Sequence, residues 1–395
     1  MSRLEGVRVL DLTQFVAGPM ATMHLGDLGA DVVKVERPGS GDGMRSFPPA
    51  VDGLSAQFAG LNRNKYSVTV DLTTDDGREV LLDLAEKADV FIQNFKSGRG
   101  ERYGLDYESV SAANPEIIYC SITGFAEGSR YEDLTAFDMI AQAMSGAMSI
   151  TGDPDGPPRY CGVPMGDIAA GTYAAQSILA SLYGRDVGDG GGEYIEVSLM
   201  NAMIGWLGYR ISYSLVQGEP FPRRGNAHGS IAPYKVFETQ DSYLAVSVAS
   251  NSLWPRFCEA IDRPDLVDRP EFETVADRAE NRGQLYNLLE DVFTERTTDA
   301  WFERMRDEGV PAGPVYDTLS VWDDPYTEEE DLREDLQNAE MEGTIPTVRF
   351  PVNFGDGHTE TRIQPQHLGA NTSDVLAELG YDEDDIERLK DEGIL

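Results

Sequence analysis

The chain has 395 residues, with 69 acidic against 32 basic side chains and a formal net charge of −37 at pH 7. That balance excludes a protein that neutralises a run of phosphates or docks on anionic lipid, because both need a basic footprint. With 41% hydrophobic and 26% charged residues, the chain is still apolar and long enough to bury one large or two ordinary cores.

In chain order, Val7–Leu12 reads as a short buried strand, Gly18–Ala30 as a helix and Asp31–Glu36 as a second strand. A helix runs from Thr74 to about Ala88, with acids in its first turn where the dipole favours them. Val90–Phe95 and Ile117–Ile122 are further strands, and the βαβ rhythm implies a parallel sheet wrapped by helices. Helices follow over Phe137–Met148 and Asp167–Tyr183, then a glycine-rich turn, a strand at Tyr194–Leu199 and a helix over Asn201–Val216.

Character changes near Gly218. Tyr234–Phe237 and Tyr243–Val248 read as a hairpin, followed by helices at Ser252–Ile261, Ala276–Glu295 and Asp299–Glu308. From Val321 the chain is acidic and linker-like, with strands near 345–363 and an amphipathic tail. The expected fold class is α/β: a Rossmann-like large domain with a parallel sheet beginning at 1–224, a smaller α/β domain at 225–315, and 316–395 as linker and return to the large domain.

Only six of the basic residues are lysines: Lys34, Lys65, Lys87, Lys96, Lys235 and Lys390. A surface this acidic repels itself in dilute buffer, and molar salt, with a Debye length of roughly 3 Å, relieves that repulsion. The composition therefore points to a cytoplasmic protein of a salt-loving cell. Cys120, Cys161 and Cys258 are odd in number and far apart, as expected of free thiols in a reducing compartment. His24, His228, His358 and His367 show no paired-ligand spacing, so no metal site is expected. No stretch is apolar for long enough to span a bilayer.

Glu36 closes the second strand where a dinucleotide-binding fold places its ribose acid. The intervening turn, TQFVAGPMAT, nevertheless has one glycine, with bulky Gln14, Phe15 and Val16 where GxGxxG would admit a pyrophosphate. There is no GxxxxGK[ST] and no GxSxG. The sharpest chemical candidate is Asp167 in CGVPMGDIAAG, at the start of a helix of small residues. Two roles stand open for it. It can cap free amides of its own helix, or, ionised at neutral pH, attack a carbonyl while nearby amides stabilise the oxyanion.

Eight segments together resemble the class III CoA-transferases, the family that includes formyl-CoA transferase. They are Val9–Asp42, LNRNKYSVTVDL (Leu61–Leu72), ADVFIQNF with Arg102, SITGFAEGSRY (Ser121–Tyr131), GDPDGPPRYCGVPMGD (Gly152–Asp167), GNAHGSIAPYKVF (Gly225–Phe237), VPAGPV (Val310–Val315) and LGANTSDVLAELGY (Leu368–Tyr381). The resemblance runs almost end to end and in order. It implies two protomers threaded through one another as an interlocked homodimer, with Asp167 as catalytic nucleophile. It implies acyl-CoA and a carboxylic acid as substrates, CoA being a substrate rather than a cofactor, and no ATP, metal or redox cofactor.

Carried over by position, the family's CoA contacts fall on Val16, Ala17, Arg37, Val70, Thr73, Asn94, Phe95, Lys96, Arg102, Phe137 and Asp138. Arg37 and Arg102 are the natural phosphate partners. Thr73 and Thr135 stand where formyl-CoA transferase carries lysines, and Phe137 replaces a tyrosine. The family's racemases use a histidine near this last segment, and TAFDMIAQ has none, which favours transfer over racemisation. His228, Gly229 and Ser230 correspond to the family's glycine-rich loop over the nucleophile, and could hold the second carboxylate of a dicarboxylic acid. The missing glycine run argues against formyl/oxalyl exchange. Combined with salt adaptation, the resemblance implies succinyl-CoA as donor and mesaconate as acceptor. Intramolecular transfer within mesaconyl-CoA and a non-catalytic acyl-CoA-binding protein remain as alternatives.

Overall fold

The computed structural model describes residues 2–188, 190–355 and 357–395, in two compact units. The first comprises 1–147, 160–219 and 330–395, the second 148–159 and 220–329.

Six strands form the sheet of the first unit: β1 (Arg8–Leu12), β2 (Asp31–Glu36), β3 (Lys65–Thr69), β4 (Val90–Gln93), β5 (Ile118–Thr123) and β6 (Glu193–Ser198). All pair in parallel, in the order β3-β2-β1-β4-β5-β6. The chain leaves β1 toward β2 on one side, while β4 lies on the other. This doubly wound order opens a crevice beyond the strand ends where the winding reverses. Short apolar runs such as VRVLDL and DVVKVE form these strands because both faces are covered.

Helices α1 (Ala17–Asp27), α2 (Asp75–Glu86), α3 (Asp138–Met144), α4 (Met165–Val187), α5 (Leu199–Trp206) and α6 (Tyr209–Gln217) belong to this unit. Ala17, Ala21 and Leu25 of α1 pack with Ala170, Ala174 and Ile178 of α4 on one face of the sheet. Val80, Leu81 and Leu84 of α2, with Val375, Leu376 and Leu389 of the C-terminal helices, cover the other. Thr74 caps α2 through the Gly77 N–H at 3.0 Å.

The second unit has an antiparallel sheet of β7 (Tyr234–Glu238), β8 (Tyr243–Ser247) and β9 (Ala312–Pro314). Its core gathers Phe237, Leu244, Trp254, Phe257, Phe293 and Trp301.

The structure departs from the sequence expectation at breaks and edges. The helix expected over Asn201–Val216 divides at Gly208, whose φ of +54° suits glycine. The one expected over Ala276–Glu295 divides at Asn281, whose side chain bonds the carbonyls of Glu271 and Asp277. Lys65–Thr69, unassigned from sequence, is a sheet strand. Of the strands expected near 345–363, Ile345–Val348 forms, pairing with Arg333–Leu336 in the stretch read as linker.

Candidate active site

The C-terminal edge of the sheet gathers the first group of candidate residues. Val16 and Ala17 follow β1, Arg37 follows β2, Val70 and Thr73 follow β3, and Asn94, Phe95 and Lys96 follow β4. Arg102 lies on the short helix Arg99–Tyr103 that comes next. Arg37, Thr73, Lys96 and Arg102 are exposed, while Ala17 and Val70 are buried.

The turn after β1 is held in an uncommon conformation. Phe15 has φ of +66°, a region that costs a non-glycine residue of order 1–3 kcal/mol. Two clamps hold it there. The Asn94 side chain accepts from the Gln14 N–H at 2.9 Å and donates to the Gln14 carbonyl at 2.8 Å. The Asp42 carboxylate accepts the Phe15 N–H at 3.1 Å.

Beneath the turn lies a buried ionic network. Lys34 Nζ donates to the Thr13 carbonyl at 2.7 Å and pairs with Asp42 at 3.3 Å. Lys65 Nζ reaches Asp11 at 3.1 Å and the Pro19 carbonyl at 2.9 Å. Burial opposes ionisation of Asp11, but Lys65 and Lys34 outweigh it and hold the carboxyl well below its ordinary value. Burial brings Lys65 down to about 8, whereas at Lys34 the same cost is overcome by Asp11, Asp42 and Glu36, which raise it. Sequence reasoning missed this network, although a signal existed: Lys34 interrupts a strand apolar on both faces, so its ammonium has to be buried and paired. Glu36, at the ribose-acid position, is instead engaged by the Arg45 guanidinium at 2.8 and 2.6 Å.

The second group sits where α3 and α4 begin. Helix α4 leads into β6, so in a parallel crossover its N-terminus lies at the same edge of the sheet. Asp138, the first residue of α3, is 6% exposed and accepts the Gly166 N–H at 2.6 Å. It also accepts from Tyr160 Oη at 2.8 Å and Gln142 Nε2 at 2.9 Å. Gln142 further bonds the Val163 carbonyl and the Cys161 N–H. The bond to Asp138 raises the Tyr160 hydroxyl to about 12.

Asp138 thereby does for the incoming helix what capping by Asp167 would do. Asp167, third residue of α4, makes no side-chain cap bond, and among the described residues its half-buried carboxyl has no hydrogen-bond or ion-pair partner. Burial and then the neighbouring Asp138 carboxylate lift its pKa from 3.8 to about 7. The sequence expectation of full ionisation at neutral pH is corrected accordingly: no cation offsets its desolvation. The two groups are tied together at Gly171, one turn further along α4, where an added methyl would lie 2.5 Å from the Ala17 carbonyl oxygen. Phe137, 64% exposed, flanks Asp138.

Among the described residues the Asp167 carboxyl is thus left without a partner at the start of α4, and comparison with known proteins gives the family. The model of CoA-transferase family III matches residues 4–372. The chain belongs to CoA-transferase family III. It is 36% identical to the human succinyl-CoA:glutarate CoA-transferase, over 99% of this chain and 90% of that protein. It is also 36% identical to the succinyl-CoA:mesaconate CoA-transferase of Haloarcula hispanica, over 92% of each. A crystal structure of a CAIB/BAIF family protein from Brucella suis superposes with a TM-score of 0.87 at 35% identity, covering 95% of this chain and 99% of that one.

The remaining candidates of this CoA-transferase, His228, Gly229 and Ser230, lie in the second unit. His228 stacks on Tyr234 with ring centroids 5.2 Å apart, and its Nδ1 accepts the Ser230 N–H at 3.2 Å. The end of their loop is fixed by Arg278, fully buried, which donates to the carbonyls of Ala232 and Phe272 at 3.0 Å each. Among the described residues no group of histidine, cysteine or acid side chains could hold a metal ion, and no helix is long and apolar enough to cross a membrane.

Proposed function

We propose that this CoA-transferase moves CoA between small dicarboxylic acids, with Asp167 as the covalent nucleophile. The observation that carries the reading is the Asp167 carboxyl itself. It is half-buried, unpartnered and lifted toward neutrality, while Asp138 takes over the helix amide beside it. A carboxyl of ordinary pKa is a weak nucleophile; raising it toward the working pH increases its basicity while leaving part of it ionised.

The carboxylate attacks the thioester carbonyl of the donor, expelling CoA thiolate and forming an aspartyl–acyl anhydride. The thiolate returns to the aspartyl carbonyl, releasing the donor acid and leaving an aspartyl-CoA thioester. The acceptor carboxylate then displaces the thiolate to form a second anhydride. Attack of the thiolate on the acceptor's acyl carbon yields the new acyl-CoA and restores Asp167. The clamped turn at Gln14–Ala17 with Asn94, Phe95 and Lys96 lines the course of the pantetheine, Arg37 and Arg102 meet the phosphates, and the loop of His228, Gly229 and Ser230 meets the acid.

Succinyl-CoA is the proposed donor, consistent with the activities named for the human and Haloarcula relatives. Mesaconate is the proposed acceptor, with glutarate as the competitor to test beside it. A second copy of the chain completes the assembly, as interlocked rings. Supporting this, α6 has no buried residue although Tyr209, Leu215 and Val216 are 66%, 78% and 82% exposed, an apolar face that a lone protomer leaves in water. The acidic surface supports function in concentrated salt.

The test is a matrix of acyl-CoA donors against free acids in molar KCl, read by mass spectrometry, with Asp167→Ala alongside. Exchange confined to small dicarboxylates and lost in the variant, with CoA affinity retained, supports the reading; turnover by Asp167→Ala contradicts it.

A further inference from the structure

In a chain with 69 acidic residues, the stretch 220–237 has none, yet contains Arg223, Arg224, His228 and Lys235. Two of these cations are already engaged. Arg223 donates to the carbonyls of Ser149, Asp153 and Gly156 at 3.1, 3.2 and 2.8 Å, pinning the loop to the 148–159 segment. Lys235 pairs with Glu290.

Arg224 is different. It is half-buried, its Nε is shielded from water without a partner, and among the described residues it meets no carboxylate. Its guanidinium lies against Gly229, where an added methyl would sit 2.5 Å from both Nε and Cζ. The Phe221 ring is 5.9 Å from Cζ. By contrast, Arg45 finds Glu36, Arg63 finds Asp27 and Arg185 finds Asp89, while buried Arg278 is satisfied by carbonyls.

His228 adds a second donor. Because its Nδ1 accepts the Ser230 N–H, the proton of the neutral ring resides on Nε2, which is left to donate. The guanidinium against Gly229 and the imidazole N–H of the residue before it are both donors of the kind a carboxylate accepts from.

We propose that Arg224 is a specificity-determining residue, whose guanidinium, together with His228 Nε2–H, receives the carboxylate of the acid that is not being activated. The proposal rests on the reading of the 225–230 loop as the acid-binding loop, and deepens it by naming the group that distinguishes diacids from monoacids. A ligand carboxylate satisfies the shielded Nε–H with a charge-assisted bond, whereas a ligand without an anion leaves it unsatisfied. Gly229 is needed because any side chain there displaces the guanidinium.

The experiment uses the full chain in molar KCl with saturating succinyl-CoA as donor, and compares glutarate with its monoacid counterpart pentanoate as acceptors. Arg224→Leu is expected to raise KM for glutarate by at least about tenfold with kcat little changed, and to leave KM for pentanoate within about twofold. Arg224→Lys should fall between, and Gly229→Ala should act in the direction of Arg224→Leu without removing the charge. Equal effects of Arg224→Leu on both acceptors, no effect on either, or a wild type that takes pentanoate as readily as glutarate overturns the proposal. Covalent labelling of Asp167 by succinyl-CoA alone involves no acceptor and separates the two ideas. Its absence in the wild type contradicts the proposed function, whereas its presence without diacid discrimination contradicts only the role of Arg224.

Discussion

Replacing Asp167 with asparagine should stabilise the protein while abolishing transfer, and the gain should depend on pH in a defined way. Burial and the Asp138 carboxylate lift Asp167 from 3.8 to about 7. The native protein therefore keeps a proton that the unfolded chain gives up, so stability falls as pH rises between those two values and stays at the lower level above them. The full interval corresponds to roughly 4 kcal/mol, an upper bound for a side chain only half withdrawn from water. An asparagine side chain has the same shape and no charge to desolvate. The stability difference between Asp167→Asn and wild type should be small near pH 4. It should grow by at most about 1.4 kcal/mol per pH unit toward 7 and then level off. Urea unfolding in fixed molar KCl, at one protein concentration and a series of pH values, measures this. A variant no more stable than wild type at pH 8, or a difference that ignores pH, would refute the assignment of a desolvated carboxyl at this position.

Asp138→Asn removes the neighbouring charge while keeping an oxygen for the Gly166 N–H, so the acid limb of the kcat/KM–pH profile should move to lower pH; an unmoved limb would dissociate Asp138 from the titration of Asp167. Lys34→Met leaves Asp42 and the Thr13 carbonyl without their partner. Breaking a buried pair costs about 3–5 kcal/mol, so calorimetry should show a lower Tm and kinetics a higher KM for acyl-CoA, and a folded variant with unchanged KM would show that the turn stands without its network. Sedimentation velocity of the wild type in molar KCl should give a dimer that persists on dilution, as threaded protomers require, whereas wild-type monomers would contradict the interlocked assembly that the exposed face of α6 supports. Exchange from molar to about 50 mM KCl lengthens the Debye length severalfold and should lower Tm at a net charge of −37; an unchanged Tm would remove the argument for salt adaptation.

Much of the large unit was legible because its strands are unmixed apolar runs separated by capped helices, as in VRVLDL, DVVKVE and the Thr74-capped helix. Lys65–Thr69 escaped because KYSVT begins with a charge and contains a serine; its lysine is buried by a partner, Asp11, that lies far away in sequence. The break at Gly208 escaped because the apolar periodicity of Asn201–Val216 continues across it. At the site, Asp167 stood out by its place at a helix start, but spacing could not choose between capping and chemistry. The choice depends on Asp138, 28 residues before Gly166, occupying that glycine's amide. Arg224 was illegible for a related reason: beside Arg223 in sequence it looks equivalent, and only the fold shows one guanidinium spent on carbonyls and the other left unpartnered.

Covalent attachment of Asp167 to what it transfers is the step on which the proposed chemistry depends. Brief incubation of the full chain with succinyl-CoA in molar KCl, quenching with hydroxylamine or borohydride, and peptide mass spectrometry test it directly. The expected result is a hydroxamate, or the reduced alcohol, at Asp167 and at no other carboxyl, dependent on the thioester and absent from Asp167→Asn. Transfer of CoA at full rate with Asp167 unmodified under every quench would contradict it.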